Sequence, residues 1–544
     1  RKKVYFIFGS HRAFAWSTDM QNWNYFQNNI NNDTTCQALF KDAFNWAKQG
    51  DASYQWDGNL WAPDVIWNPD YVNSDGSKGA WCMYMSINGN SWNSSIVLLT
   101  SDDLDGDWTN RGTVVYSGFT ESGVHDYKDT DFANIVGSDE NAKKFISEHY
   151  KRGSYTPSYN DGKNVCSKTN WNNYYGAHAI DPCVTYDSEG RLWMSYGSWS
   201  GGVYILEIDN TTGQPIYPGE DSDTDTINPT DRYFGKRIAV GYTQSGEGAD
   251  VVYDSETGYY YMTITYGSLT SDGGYNMRLF RSESPTGPYL DAKGNNAALS
   301  GNVTNTANGI KLISNYKFAC QDKALKAAGH NSVLIDDDGE RYLIHHQRFD
   351  DGTEYHEVRV HQMFVNKEGW LLVAPYENRG DKISETGYSK DQVVGNYQFI
   401  NHGTATTGKV ADTLNVSLNE DNTVSGDIDG TWTMEEGSYY MTITTNDVTY
   451  SGVFFKQQDE SLEDNKVMTF TAVGSNNESV WGSKLDLDAS EAVDYASKDL
   501  ENKIPTVTKT NIELPLVGAY DTTITWASNN EESISNDGKV NRTG

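Results

Sequence analysis

Four stretches of this chain repeat one pattern, in which a polar residue opens a strand, an Asp- or Gly-rich turn follows, and an aromatic strand comes next. They are NLWAPDVIWNPDYVNSDGSKGAWCMYMSI from Asn59, AIDPCVTYDSEGRLWMSYGSW from Ala179, GEGADVVYDSETGYYYMTITYGS from Gly246 and GHNSVLIDDDGERYLIHHQRF from Gly329. KVYFIFGSH, from Lys3, reads as the second strand of a fifth copy whose first strand is missing. Short-stranded repeats of this size predict an all-β, five-bladed β-propeller, each blade a small sheet packed on its neighbours. Asp64, Asp181, Glu247 and His330 open their copies and are expected at one equivalent place per blade, gathered near the axis. Tight hairpins need positive-φ residues, which the D-S-E-G-R, D-S-E-T-G and D-D-D-G-E turns supply.

A chain of 544 residues is long enough for two or three domains. Repeats fill residues 1–378. Helical patterning there is confined to Cys36–Gly50 and Glu140–Gly153, both inside long insertions that would shape the rim of a propeller. From 381 to 485 alternating runs such as GTWTMEEGSYYMTITTNDVTYSGVFFKQ, from Gly430, predict antiparallel strands of a small barrel or sandwich. Residues 491–544 open within an acidic stretch, DASEAVDYASKDLENKIP from Asp488, which leads into a piece from Thr523 with an Ile-Thr-Trp strand pattern and an Asn-Asp-Gly turn, too little for a full domain.

The net charge of −33 argues against nucleic acid, whose phosphates require a basic face, and against other polyanions. It favours a neutral partner. No apolar run is long enough to span a membrane. RKKVYFIFG lacks the cleavage pattern of a signal peptide and reads as the inside of a structural element, which implies residues ahead of Arg1. Cys36, Cys82, Cys166, Cys183 and Cys320 are scattered and odd in number, so they define no disulfide framework and read as small buried apolar residues.

The strings FGSH, STDMQNW, LWAPDV, IDP, LWMSYGSWSGGVYILEID, EGADVVYDSETGYYYM, DGGYNMRLFRSESPTGPY, GHNS and HEVRVHQ run in order over two-thirds of the chain. In them the chain resembles the glycoside hydrolase family 43 arabinanases, above all the secreted endo-α-1,5-L-arabinanases with an added C-terminal domain. Residues 381–485 are similar to the β-rich domain of that group, and the last segment resembles a bacterial immunoglobulin-like module, present in part. The resemblance implies an extracellular glycosidase that cuts internal bonds of arabinan, a neutral side chain of pectin, with inversion at the anomeric carbon. Inversion takes two carboxyl groups roughly 6.5–9.5 Å apart, one protonating the leaving oxygen and one activating water.

By motif, the resemblance makes Glu247 in S-G-E-G the general acid and Asp181 in A-I-D-P the carboxylate that tunes it. A neighbouring carboxylate disfavours ionisation of a Glu and keeps a proton available. The family's general base, an Asp in a His-Asp-Pro motif about a dozen residues before FGSH, falls ahead of Arg1. His330 in G-H-N-S matches a His beneath the active site that helps hold a water-coordinated metal, usually Ca2+. One imidazole is an unusual shell for an ion that prefers oxygen donors.

Each assignment has an ordinary alternative. Glu247 between two glycines also suits a solvated turn, Asp181 before a proline suits a capping role, and a lone His is most often a satisfied core residue. Asp64 in W-A-P-D, which the family pattern gives no proton-transfer role, is expected to close a blade by hydrogen bonding. Trp61, Trp199 and His11 are placed in the cleft, where an indole can stack on the C–H face of a furanose; blade packing is the alternative for each Trp. Ser198 and His178 are further cleft candidates. His345 and His346 alternate across a strand, so at most one faces the axis.

Two rival readings stay open. An exo-acting arabinofuranosidase or xylosidase keeps the fold and replaces the open groove with a blind pocket, and the insertions 28–57 and 117–173 suit either. A non-catalytic carbohydrate-binding propeller, attached to the cell surface through C-terminal modules, is the other. Retention of Asp181, Glu247 and His330 together argues against it.

Overall fold

The computed structural model describes residues 3–151, 171–222, 227–461, 465–487, 489–518, 520 and 522–541. Among them, five antiparallel sheets are arranged as the blades of a propeller. The first holds Tyr5–Phe8, Phe14–Ser17 and Asn24–Tyr25. The next four start from the inner strands Leu60–Val72, Cys183–Tyr186, Glu247–Asp254 and Leu325–Ile335. The ring closes between the first and last sheets, where Tyr5 packs with Met20, Tyr342 and Val360, and its hydroxyl donates to Asp336 at 2.8 Å.

Apolar faces of neighbouring blades bury one another, so the core lies between sheets. Tyr84, Leu98, Met194 and Tyr204 share one cluster between the second and third blades, and Val203, Ile205, Val251 and Met262 share another between the third and fourth. The first insertion forms helices Asp33–Leu39 and Lys41–Ala47, which bury Cys36, Phe40 and Phe44 against Met83 and Val97. The second contains helix Asp139–Lys151, and Gly153 lies outside the described residues. Cys36, Cys82, Cys183 and Cys320 are free thiols, with Cys166 outside the described residues.

A left-handed residue kinks each of the four inner strands at its mouth: Ala62 (φ +39°), Asp181 (+54°), Gly248 (+56°) and His330 (+47°). Two residues after the first three of these kinks, a side chain accepts an N–H from the next blade. Asp64 Oδ2 accepts from Val184 at 2.6 Å, Cys183 Sγ from Val251 at 3.2 Å, and Asp250 Oδ2 from Val333 at 2.8 Å. This belt corrects the expected register. Asp64 is equivalent to Cys183 and Asp250 and not to Asp181, while Glu247 sits one residue before its kink. The blade-closing role expected of Asp64 is what its hydrogen bond performs.

Eight strands from Gly395–Asn401 to Ser479–Leu485 form a closed barrel, the first pairing with the last from Asn396 opposite Leu485 to Asn401 opposite Val480. Closure excludes the sandwich alternative. Barrel residues Ile400, Val453, Phe455, Val473 and Trp481 join a core cluster with Leu312, Tyr316, Leu371 and Tyr376 of the propeller side. Beyond the barrel, the acidic stretch forms helix Ala489–Lys503. The Ile-Thr-Trp pattern does not form a ladder: the described residues there make isolated bridges, Val517 to Thr523 and Ile534 to Val540. The expected turn is present, with the Gly538 N–H on the Ser535 carbonyl at 2.9 Å.

Candidate active site

The kinks bring chemistry from separate blades to one mouth. Asp181 is 7% exposed. Its own N–H donates to Ser86 Oγ at 3.0 Å, and its Oδ2 accepts the N–H of Gly248 at 3.3 Å. Gly248 directly follows Glu247, so the carboxyls of Asp181 and Glu247, far apart in sequence, come within electrostatic reach. The Asp181 carboxyl is pushed up to about 6, first by burial and further by Glu247, with His330 and the Gly248 N–H opposing the rise.

Glu247 begins its strand, and both of its oxygens are held. Trp199 Nε1 donates to Oε2 at 2.6 Å and the Tyr275 hydroxyl donates to Oε1 at 2.5 Å. Each carboxyl oxygen has a second lone pair, so two donors fix the orientation of the group and still leave a place for a proton. Trp199 is 37% exposed with φ +41°, a left-handed conformation that is an outlier for a bulky residue. Its N–H bonds the Gly246 carbonyl at 2.8 Å, which ties the turn to the Glu247 strand. Strain of this kind costs about 1–3 kcal/mol and concentrates at functional sites.

Sequence reasoning missed Tyr275. It lies in the quoted string DGGYNMRLF, and the glycine pair before it was the available signal. The ring is buried, stacks on His346 with centroids 5.3 Å apart, and rests over Gly329, where a Cβ would fall 2.4 Å from Cδ1. His346 therefore faces the site. His345 points the other way and stacks on His361 at 5.3 Å.

The remaining candidates line the same mouth or stand behind it. Trp61 lies opposite Ser86, whose hydroxyl accepts from Asp181, and Trp61 Nε1 donates to the Gly58 carbonyl at 2.8 Å. His11 is exposed at φ +58° in the turn Ser10–Arg12, and Ser10 Oγ accepts the N–H of Ala62, next to Trp61, at 3.0 Å. Ser198 is buried in the turn that carries Trp199. His178 Nε2 bonds Ser94 Oγ at 2.9 Å, and burial pushes the imidazole down to about 3, so it is neutral at working pH. His330 donates its N–H to Thr265 Oγ1 at 2.9 Å and lays its ring over Gly248, where a Cβ would fall 3.1 Å from Cγ.

Among the described residues, no three His, Cys, Asp or Glu side chains converge as a metal cage. His330 offers one imidazole, with the Asp181 carboxyl in electrostatic reach. That donor set fits a hydrated cation and does not fit one enclosed by protein.

The buried Asp181 and the partly exposed, doubly anchored Glu247 meet at the mouth of a five-bladed propeller, and the class that this fold belongs to is the glycosidases. The chain belongs to glycoside hydrolase family 43: the model of glycosyl hydrolases family 43 matches residues 163–371, followed by a C-terminal lipocalin-like domain over 375–482 and an atrophied bacterial Ig domain over 486–544. The extracellular endo-alpha-(1->5)-L-arabinanase 2 of Bacillus subtilis is 32% identical over 500 residues, covering 88% of this chain and 90% of that protein. The extracellular endo-alpha-(1->5)-L-arabinanase of Thermotoga petrophila is 31% identical, covering 89% of this chain and 91% of its own length. A crystal structure of the T. petrophila endo-1,5-alpha-L-arabinanase superposes with a TM-score of 0.71 at 29% identity, covering 89% of this chain and 96% of that one. No helix among the described residues is long and apolar enough to cross a membrane.

Proposed function

We propose that this glycosidase is an extracellular, inverting endo-α-1,5-L-arabinanase that cuts internal bonds of the arabinan side chains of pectin. The observation that carries the chemistry is the Glu247 carboxyl, held by Trp199 and Tyr275 beside the buried Asp181. The arabinan specificity is supported by the two relatives above, each named as an extracellular endo-arabinanase.

Glu247 delivers its proton to the glycosidic oxygen as the bond breaks. Asp181, held in place by Ser86 and Gly248, sets the charge Glu247 experiences through the cycle. The family pattern assigns activation of water to a second carboxyl group, on the other side of the scissile bond from Glu247. Trp199 and Trp61 supply indole surface for furanose C–H faces, and the exposed His11 offers ring nitrogens to hydroxyls. His330, with water, would hold a calcium ion, which when bound supplies positive charge near Asp181. Attachment to a cell surface through C-terminal modules belongs to the same reading.

The test is reducing-sugar release from linear arabinan by the full-length protein and by Glu247→Gln, with product lengths resolved by chromatography. A mixture of oligosaccharides from the wild type and a loss of at least about a hundredfold in the variant support the reading. Release of single arabinose units from the outset favours the exo-acting alternative, and equal activities of the two proteins overturn the catalytic assignment.

A further inference from the structure

Tyr275 belongs to the propeller, but the backbone just before it rests on the barrel. At Gly274 (φ +70°) a Cβ would lie 2.8 Å from the Thr407 nitrogen, and at Gly408 a Cβ would lie 2.3 Å from the Asp272 carbonyl oxygen. Two stretches of main chain, 272–274 and 407–408, are thus in direct contact, with room for glycine on each side. Thr407 and Gly408 lie in the connection between barrel strands Gly395–Asn401 and Thr413–Leu418.

That connection is tied down by two buried basic side chains of the propeller side, one of them a lysine that burial pushes down to about 7. Arg278 Nη2 donates to the Thr404 carbonyl at 2.6 Å and to Thr406 Oγ1 at 3.4 Å, and Lys311 Nζ donates to the Ala405 carbonyl at 2.7 Å. Both side chains are almost entirely buried, Arg278 at 0% and Lys311 at 2% exposure. Burying a cation is costly unless its donors are satisfied. Withdrawing the loop would leave Arg278 Nη2 and Lys311 Nζ without the acceptors it supplies, so it is a stiff support. A second route runs from Arg278 back to the site. Its Nε donates to Asn276 Oδ1 at 2.6 Å, and Asn276 Nδ2 donates to the Gly274 carbonyl at 2.7 Å.

We propose that the barrel connection 404–408 is a positioning element of the active site, holding Tyr275 through Gly274 and Arg278 so that its hydroxyl aims the Glu247 carboxyl at the leaving oxygen. The inference rests on Glu247 being the general acid. It makes the C-terminal barrel a support of the catalytic apparatus, acting through residues of the propeller. Arg278, Thr407 and Gly408 act through Tyr275, and Tyr275 acts through Glu247.

A misaimed acid has a kinetic signature that general damage lacks. A sugar leaving group needs the proton, whereas 4-nitrophenolate departs without it. The full-length protein and the variants Tyr275→Phe, Arg278→Met, Gly408→Ala and Glu247→Gln are compared on a linear α-1,5-arabino-oligosaccharide and on its 4-nitrophenyl glycoside, with a thermal melt of each. Tyr275→Phe, Arg278→Met and Gly408→Ala are expected to lose about tenfold or more in kcat on the oligosaccharide and less than about threefold on the aryl glycoside.

Gly408→Ala changes only the barrel and decides the matter should Arg278→Met fail to fold. Equal losses on both substrates, or no loss in a folded Gly408→Ala, overturn the proposal. If Glu247→Gln itself shows no split between the substrates, the assignment of Glu247 as acid fails, and this inference falls with it. If Glu247→Gln shows the split and Gly408→Ala does not, the positioning role alone is refuted.

Discussion

The indole N–H of Trp199 reaches Glu247 Oε2 at 2.6 Å from a backbone that is left-handed at φ +41°. One side chain thereby presents an exposed ring and gives a donor to the Glu247 carboxyl. The two roles separate by substitution. Trp199→Phe keeps ring surface and removes the donor, and a hydrogen bond to a charged or charging group is worth about 1.5–3 kcal/mol. A fall in kcat of about 10- to 100-fold with KM changed by less than about threefold is expected. Trp199→Ala adds a rise in KM. Steady-state kinetics on arabino-oligosaccharides check both, and an unchanged kcat in Trp199→Phe would remove the donor from the mechanism.

Calcium dependence is the outcome expected of the His330 assignment. Exhaustive chelation should lower kcat, calcium should restore it, and the same titration should raise the melting temperature of the wild type by ligand linkage. His330→Ala should show neither response. The fold should survive the substitution, because the tie to Thr265 is made by the His330 backbone N–H. Full activity after chelation, with no calcium bound by calorimetry, would end the metal assignment.

The propeller was legible because its turns repeat: Asp187, Asp254 and Asp336 each begin a hairpin whose Gly three or four residues on closes the turn, Gly190, Gly258 and Gly339. Register was harder to read. The kinks at Ala62, Asp181, Gly248 and His330 fall on unlike residue types, and the feature they share is a backbone dihedral that letters do not show. What the strings do share is the pair that follows, Asp-Val, Cys-Val, Asp-Val and Ser-Val, and aligning on it gives the true equivalence. Barrel closure depends on Gly395–Asn401 finding Ser479–Leu485, a long-range pairing that alternation alone does not encode. The support under Tyr275 was invisible for the same reason: Gly274 and Thr407 are distant in sequence.

A buried ion pair joins the fourth and fifth blades. Arg341 Nε and Nη2 contact Asp254 Oδ2 and Oδ1 at 2.9 and 3.1 Å, and Asp254 is 1% exposed. Removing one partner of such a pair strands the other and costs about 3–5 kcal/mol. Asp254→Asn should therefore lower the midpoint of denaturant unfolding, while Asp254→Asn combined with Arg341→Met should recover part of the loss. A single variant as stable as the wild type would show that Glu256, which also contacts Arg341 Nη2 at 2.5 Å, suffices as its counter-ion.

The belt near the axis predicts a pH response with a definite sign. Burial pushes the Asp250 carboxyl up to about 7, with Asp64 adding to the rise, and burial pushes Asp64 up to about 6. A folded carboxyl that binds its proton more tightly than the unfolded chain contributes stability below the unfolded value, near 3.8, and loses it as pH rises toward 7. Asp250→Asn removes that loss and keeps the belt, since the Asn oxygen can accept from Val333 while its amide faces Cys183 Sγ, a weak acceptor. Both carboxyls are only partly shielded from water, which reduces the gain below its buried limit. The variant is expected to melt about 2–4 °C above the wild type at pH 8 and within about 1 °C of it at pH 5. A variant less stable than the wild type at pH 8 would mean that the ionised carboxylate strengthens the bond to Val333 by more than its burial costs.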